Sequence, residues 1–255
     1  MTRQRTPQPV IEVVGVDAAG AEVARQRLGH GQDPQALLWA CGWRAVEPLE
    51  VSSASGDRHV LTARFQVAPA QGRPPVPHTA VVHRDRDLVV EPGEVADPYQ
   101  RVAAYAVVTS ERGLLLAQLS GLTSEPGRWG LPGGGLDPHE APAETVLREV
   151  WEESGQRVEV TSLAGIQSSH WVGRAPDGRL EDFHAVRIVY RATCGEPTEP
   201  VVHDVGGTTA SAAWFPTDDL AGLPLTAGWR AALALWPPHG HDAGGRGSPD
   251  HQGQP

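Results

Sequence analysis

Residues 131–156, LPGGGLDPHEAPAETVLREVWEESGQ, constrain this chain more than any other stretch. Three glycines lead into a run of helical periodicity carrying six acids (Asp137, Glu140, Glu144, Glu149, Glu152 and Glu153) against one base, Arg148. Successive residues about 100° apart predict a helix from Pro142 to Ser154. Ala143, Val146, Leu147, Val150, Trp151 and Ser154 then share one stripe, expected to pack on a sheet. Glu149, Glu152 and Glu153 gather on another side. Pro142 suits the first helical position, Glu144 can reach back as half of a capping box, and Gly155 can end the helix. Ala141 has no capping oxygen, so that end must lean on the loop before it.

Two readings of the acids stand. Like charges at i, i+4, as in Glu149 and Glu153, cost a few tenths of a kcal/mol, which a solvated helix face tolerates. Alternatively, carboxylates at i, i+3 and i+4 converge enough to share a hard cation such as Mg²⁺, which recruits substrate phosphates. Arg148 would then pair with Glu152 or hold a neighbouring carboxylate. Gly133, Gly134 and Gly135 allow a close approach of backbone to a ligand or ion, although a tight turn would also use them.

The rest of the chain supplies the frame. "PVIEVVGVD" (9–17) and "AEVARQRLG" (21–29) read as a hairpin, and "DPQALLWACG" (33–42) as a short helix capped by Asp33. "WRAVEPLEV" (43–51) and "RHVLTARFQV" (58–67) read as two further strands, so residues 1–95 suggest a small α+β unit of ββαββ type. Residues 68–78 read as a Pro-rich connector. Strands are expected at 101–110, 113–120, 157–172, 182–193 and 211–216, with a final helix at 227–236. The Gly- and Pro-rich tail, 238–255, is expected to be disordered.

Composition narrows the function. The net charge of -10 argues against general nucleic-acid binding, and a chain this acidic needs a local device to bring in phosphates. All 21 basic residues are Arg, so no lysine can serve as Schiff base or phosphate anchor. Cys41 and Cys194 read as free, mostly buried thiols of a reducing compartment. No signal-peptide core or membrane span is legible, which makes a cytoplasmic location the expectation. His78, His83, His170, His184 and His203 lack zinc-ligand spacing and read as single core or surface residues.

The spacing Gly134, five residues, Glu140, seven residues, then "REVWEESG" (148–155) resembles the Nudix box, GX5EX7REUXEEXGU, where U is bulky and aliphatic. Val150 fills the first U. Gln156 departs from the last, a position that normally buries an apolar side chain. The resemblance covers about residues 100–237 and implies an α/β fold, an α/β/α sandwich around a mixed sheet, preceded here by the N-terminal unit. It implies a metal-dependent hydrolase of nucleoside diphosphates linked to another moiety X, using Mg²⁺ or Mn²⁺. By motif position, Glu149, Glu152 and Glu153, with the Gly133 carbonyl, look like metal ligands, and Arg148 is placed to orient Glu149. Gly134 and Glu140 are carried over as substrate-side or loop-supporting residues. The general base is either a box acid, Glu149 or Glu153, or a loop acid, Glu181 or Asp182.

The family's substrate signs, 15–18 residues after the box, are a Pro for ADP-ribose and a Tyr for dinucleoside polyphosphates. "HWVGR" (170–174) contains neither. Trp171 there can stack on a base or simply pack at a strand end. Oxidised-nucleotide housecleaning and hydrolysis of ADP-ribose or nucleotide sugars both stay open, as does a non-catalytic nucleotide sensor. The expected partner is a nucleotide-type small molecule, with no nucleic acid or membrane, and a homodimer is left open.

Overall fold

The computed structural model describes residues 7–73, 82–84, 87–175 and 178–238. The N-terminal part contains β1 (Val10–Val16), β2 (Glu22–Arg27), α1 (Pro34–Ala40), β3 (Trp43–Ser55) and β4 (His59–Pro69). They form a four-stranded sheet of order β2-β1-β4-β3, with β1 and β4 parallel at its centre and the outer pairs antiparallel. The ββαββ order matches the sequence pattern because its signals are local. The Asp33 carboxylate accepts from the N–H groups of Gln35 and Ala36 at 2.8 and 3.1 Å, and Pro34 follows at the first helical position.

The second sheet is mixed and eight-stranded. It contains β5 (His83–Arg84), β6 (Asp97–Ser110), β7 (Gly113–Leu119), β8 (Trp129–Gly130), β9 (Gly133–Gly135), β10 (Glu159–Arg174), β11 (Leu180–Thr193) and β12 (Thr209–Phe215). The strand path is β12-β7-β6-β11-β10-β5, with β6 and β11 parallel and β10 and β11 antiparallel. Strands β6 and β7 pair only over Thr109–Ser110 and then part, β9 taking the free edge of β6 and β8 that of β7. That split opens the sheet beside the glycine run.

Each face of this sheet is covered. Helix α2 (Pro142–Ser154) and the N-terminal sheet share one core with it, in which Val146 and Val150 join Val102, Ala104, Val186 and Ile188, and also Ile11, Leu61 and Phe65. On the other face α3 (Ala227–Leu235) packs Trp229 and Leu233 against Val107, Leu116 and Val189. Burial of these apolar stripes, at about 25 cal/mol per Å², is the main force holding the layers together. No described helix is long and apolar enough to cross a membrane.

The bounds of α2 fall where the periodicity put them, but its buried stripe does not. Val146, Val150 and Ser154 are buried together with Thr145 and Glu153, whereas Leu147 and Trp151 are 45% and 43% exposed. The helix packs mainly on β6, β9 and β12, and Leu147 and Trp151 lie outside that contact. Glu144 accepts from the Ala141 N–H at 3.0 Å, supplying the cap that Ala141 cannot. Gly155 ends the helix in the left-handed region at φ 69°.

Cys41 is exposed, against the expectation of burial, because it caps the end of α1; Cys194 is buried. Of the segments given a sequence reading, His78, part of the connector and the tail beyond Pro238 lie outside the described residues.

Candidate active site

The glycine run, strand β9 on the free edge of β6, packs directly against α2. Glycine is required at two positions there for different reasons. Gly133 has a φ of 143°, and a Cβ on it would lie 2.3 Å from the Ala104 carbonyl oxygen and 2.6 Å from the Tyr105 Cα, both in β6. A Cβ on Gly134 would lie 2.3 Å from Oε1 of Glu149. The backbone thus comes down directly onto a box carboxylate.

Arg148 organises the acids. Its Nε and Nη2 donate to the two oxygens of Glu140, each at 2.8 Å, a bidentate pair. Its Nη1 donates to Glu149 at 3.0 Å and to Glu152 at 3.1 Å, and Nη2 also reaches the Gly135 carbonyl at 3.1 Å. Glu140 further accepts from the Asp137 N–H at 2.9 Å and the Thr145 hydroxyl at 2.8 Å. Burial works against the charge of Glu140, but Arg148 and these donors outweigh it and hold its pKa down at about 2. Glu140 therefore locks the loop and the arginine; it does not line the cleft.

Glu153 is handled differently. It is 7% exposed, has no contact with Arg148 among the described hydrogen bonds, and is held by the Gly133 N–H at 2.9 Å and by the Thr209 hydroxyl. Burial pushes its pKa up to about 7, with the negative charges of Glu149 and Asp204 adding to the rise. Burial also raises Glu149, in spite of Arg148. A buried Glu153 beside a part-buried Glu149, with Arg148 reaching only Glu149 of the two, invites a cation.

Gly133, Gly134, Gly135, Arg148, Glu149, Glu152 and Glu153 all line one cleft of about 710 Å³. Its other walls carry residues that sequence spacing could not find: Arg101 and Tyr105 from β6, Trp229 from α3, and His203 and Asp204 from the loop before β12. Tyr105 and Trp229 meet edge to face, with ring centroids 4.6 Å apart. The His203 and Asp204 N–H groups both donate to the Glu152 carbonyl, at 2.7 and 3.1 Å, and the His203 ring stacks on Trp151 at 4.3 Å. These residues lie roughly 30 to 75 positions from the box along the chain, and no local pattern marks them.

Trp171 does not line this cleft, nor do Glu181 and Asp182, which were expected on a loop but belong to strand β11. Trp171 stacks on Phe183 with centroids 4.4 Å apart. The Asp182 carboxylate is taken by His30 and His170. Gln156, the departure from the pattern, is 2% exposed, yet its amide is satisfied. Nε2 donates to the Ser154 carbonyl at 3.1 Å and to Thr198 Oγ1 at 3.0 Å, and Oε1 accepts from the Thr198 N–H at 3.0 Å. The segment around Thr198 supplies polar partners where an apolar wall was expected.

A family model described as the NUDIX domain matches residues 99–236, more than half of the chain. The chain belongs to the Nudix family. Members of this family act on phosphoric anhydride bonds. A nucleoside triphosphatase NudI of Klebsiella pneumoniae (strain 342) is 28% identical over 138 residues, which span 53% of this chain and 95% of that protein. A MutT-like protein of Streptomyces ambofaciens is 46% identical over 69 residues, 27% of this chain; the chain spans only 43% of that relative's length. Among solved structures, a MutT NUDIX hydrolase from Burkholderia pseudomallei has 31% identity and a TM-score of 0.43, covering 54% of this chain and 98% of that one.

Proposed function

We propose that the chain is a metal-dependent pyrophosphohydrolase acting on a nucleoside diphosphate linked to a further group X, with X a third phosphate as the first substrate to try. The observation that carries this is the convergence of Glu149, Glu152 and Glu153 with the Gly133–Gly135 backbone on one wall of one cleft. The donor set is all oxygen, which fits Mg²⁺ or Mn²⁺. Glu149, Glu152 and Glu153, with the Gly133 carbonyl, would hold the ion. Bound there, it would supply charge neutralisation of the diphosphate and a more acidic water.

The chain's own residues do the positioning. Arg148, fixed by Glu140, holds Glu149 and Glu152 at the cleft wall. Gly133 and Thr209 hold Glu153. Arg101 offers positive charge to the phosphates, and Tyr105 and Trp229 offer an aromatic wall for the base. Water attacks one phosphorus, the P–O anhydride bond breaks, and the products are a nucleotide and phosphorylated X. The proton from the water passes to a carboxylate oxygen of Glu149 or Glu153. The name of the Klebsiella relative favours nucleoside triphosphates. The same proposal assigns residues 100–237 to this activity and residues 1–95 to a separate unit.

The test is a panel of nucleoside triphosphates, ADP-ribose and nucleotide sugars assayed with Mg²⁺ or Mn²⁺ for wild type, Glu152→Gln and Glu153→Gln. Turnover of at least one substrate by wild type and its loss in the variants is expected. Equal turnover by the variants would remove the metal assignment. Nucleotide binding with no turnover of any substrate would favour a sensor.

A further inference from the structure

A second cluster of metal-ligating side chains lies away from the acidic cleft. His30 comes from the turn between β2 and α1, His170 from β10 and Asp182 from β11. Nε2 of His30 lies 3.1 Å from Oδ1 of Asp182, and Nε2 of His170 contacts the same oxygen. One donor atom from each residue lies within 4.8 Å of the others, so small side-chain rotations bring them to the roughly 3.4 Å that separates ligands around one tetrahedral ion with metal–ligand distances of about 2.0–2.2 Å.

The surroundings hold these ligands in place. The turn bearing His30 is closed by the Gln32 side chain, which accepts from the Gly29 N–H at 2.7 Å, and is pinned to the larger sheet by the Ser168 hydroxyl, which donates to the Gln32 carbonyl at 2.9 Å. Gly31, at φ 72°, lies so close to the His170 ring that a Cβ would be 2.5 Å from its Nδ1. His184 is next to the cluster but is not a ligand. Its two nitrogens are occupied by Ser168 and Gln100, at 2.9 and 3.1 Å. Side-chain exposures of 29%, 12% and 30% for His30, His170 and Asp182 leave an entry path for an ion.

We propose that His30, His170 and Asp182 form a site for a zinc-class transition-metal ion that clamps the N-terminal unit to the nucleotide-hydrolase sheet. Two imidazoles and one carboxylate are a nitrogen-rich set that suits Zn²⁺ and not Mg²⁺, and three protein ligands leave one position for water. The sequence spacing hid the site, because the ligands sit at 30, 170 and 182 and meet only when the two sheets pack. The site is independent of the function proposed for the carboxylate cleft.

The experiment uses the full chain stripped of metal with a chelator. Zn²⁺ is titrated by calorimetry, and the melting temperature is followed with and without Zn²⁺. The Glu152→Gln/Glu153→Gln double variant serves as the background, to remove zinc held by the cleft. About one equivalent of Zn²⁺ and a zinc-dependent rise in melting temperature are expected in that background, since an ion that binds only the folded state stabilises it. His30→Ala, on the surface turn, should bind at least 10-fold more weakly and lose most of the rise, and Asp182→Asn should do the same. Circular dichroism of the zinc-free variants checks that they fold. Co²⁺ in place of Zn²⁺ should give a visible absorption band that His30→Ala lacks. Absence of zinc binding in the double-variant background would overturn the proposal. So would unchanged affinity and unchanged melting rise in folded His30→Ala and Asp182→Asn.

Discussion

Adjacent glycines 133 and 134 should separate activity from stability. Gly134 is outside the positive-φ glycines, so alanine there is not strained by backbone conformation. Its Cβ would lie 2.3 Å from Oε1 and 2.5 Å from Cδ of Glu149. Ordinary contact is about 3.5 Å, so the carboxylate has to retreat by about 1 Å. It can do so cheaply, being the far end of a flexible side chain. Gly134→Ala should therefore keep its unfolding free energy within about 1 kcal/mol of wild type. A misplacement of about 1 Å at the reacting centre costs about 100-fold in rate, or about 2.7 kcal/mol of barrier. Gly133→Ala is the opposite case. Its new Cβ meets the Ala104 carbonyl oxygen at 2.3 Å and the Tyr105 Cα at 2.6 Å, neither of which can swing away, at a φ of 143°. It should lose more than about 2 kcal/mol of stability from strain and overpacking. The measurements are kcat/KM with Mg²⁺ on the best substrate of the panel and urea unfolding of both variants. If Gly134→Ala keeps kcat/KM within about 3-fold of wild type, or loses as much stability as Gly133→Ala, the assignment of Glu149 to the working centre of the cleft is refuted.

Further outcomes follow from the same geometry. Arg148→Gln leaves Glu140, Glu149 and Glu152 without their shared partner and should cost about 3 kcal/mol in urea unfolding, near the low end for breaking a buried pair because Arg148 is about a quarter exposed. Glu140 and Glu153 act in separate pH windows. Glu140 has its folded pKa lowered to about 2, so its contribution is present above the unfolded value of about 4.5 and is lost as pH falls from there toward 2. Glu153 has its folded pKa raised to about 7, so the metal-free protein should lose stability as pH rises from about 4.5 to 7. Unfolding curves across pH in a chelator should show both limbs, with Glu140→Gln flattening the acid one and Glu153→Gln the neutral one; an unchanged neutral limb in Glu153→Gln would contradict the burial argument. Leu147→Ala should change stability by no more than about 0.5 kcal/mol, whereas Leu115→Ala, at 0% exposure, should cost about 2–5 kcal/mol.

The signals that act over one or two turns of chain were legible in the amino-acid order. The bounds of α2, its stop at Gly155, the cap of α1 at Asp33 and the box spacing from Gly134 to Gly155 rest on such local geometry, and the resemblance they carried led to the family. Which side of α2 is buried was not local. Leu147 and Trp151 stay exposed while Glu153 goes in, because Gly133 and Thr209, 20 residues before it and 56 after it, supply donors that only the packed sheet brings together. Gln156 looked like a packing defect until Thr198, 42 residues on, gave its amide partners. His30, His170 and Asp182 gave no spacing signal at all. Their meeting depends on the register that sets Val172 opposite Asp182 and on the N-terminal turn that Ser168 ties down over it. Periodicity and capping are properties of neighbouring residues and can be read along a chain; burial of a charge and convergence of distant ligands depend on which surfaces pack, and only the tertiary structure decides that.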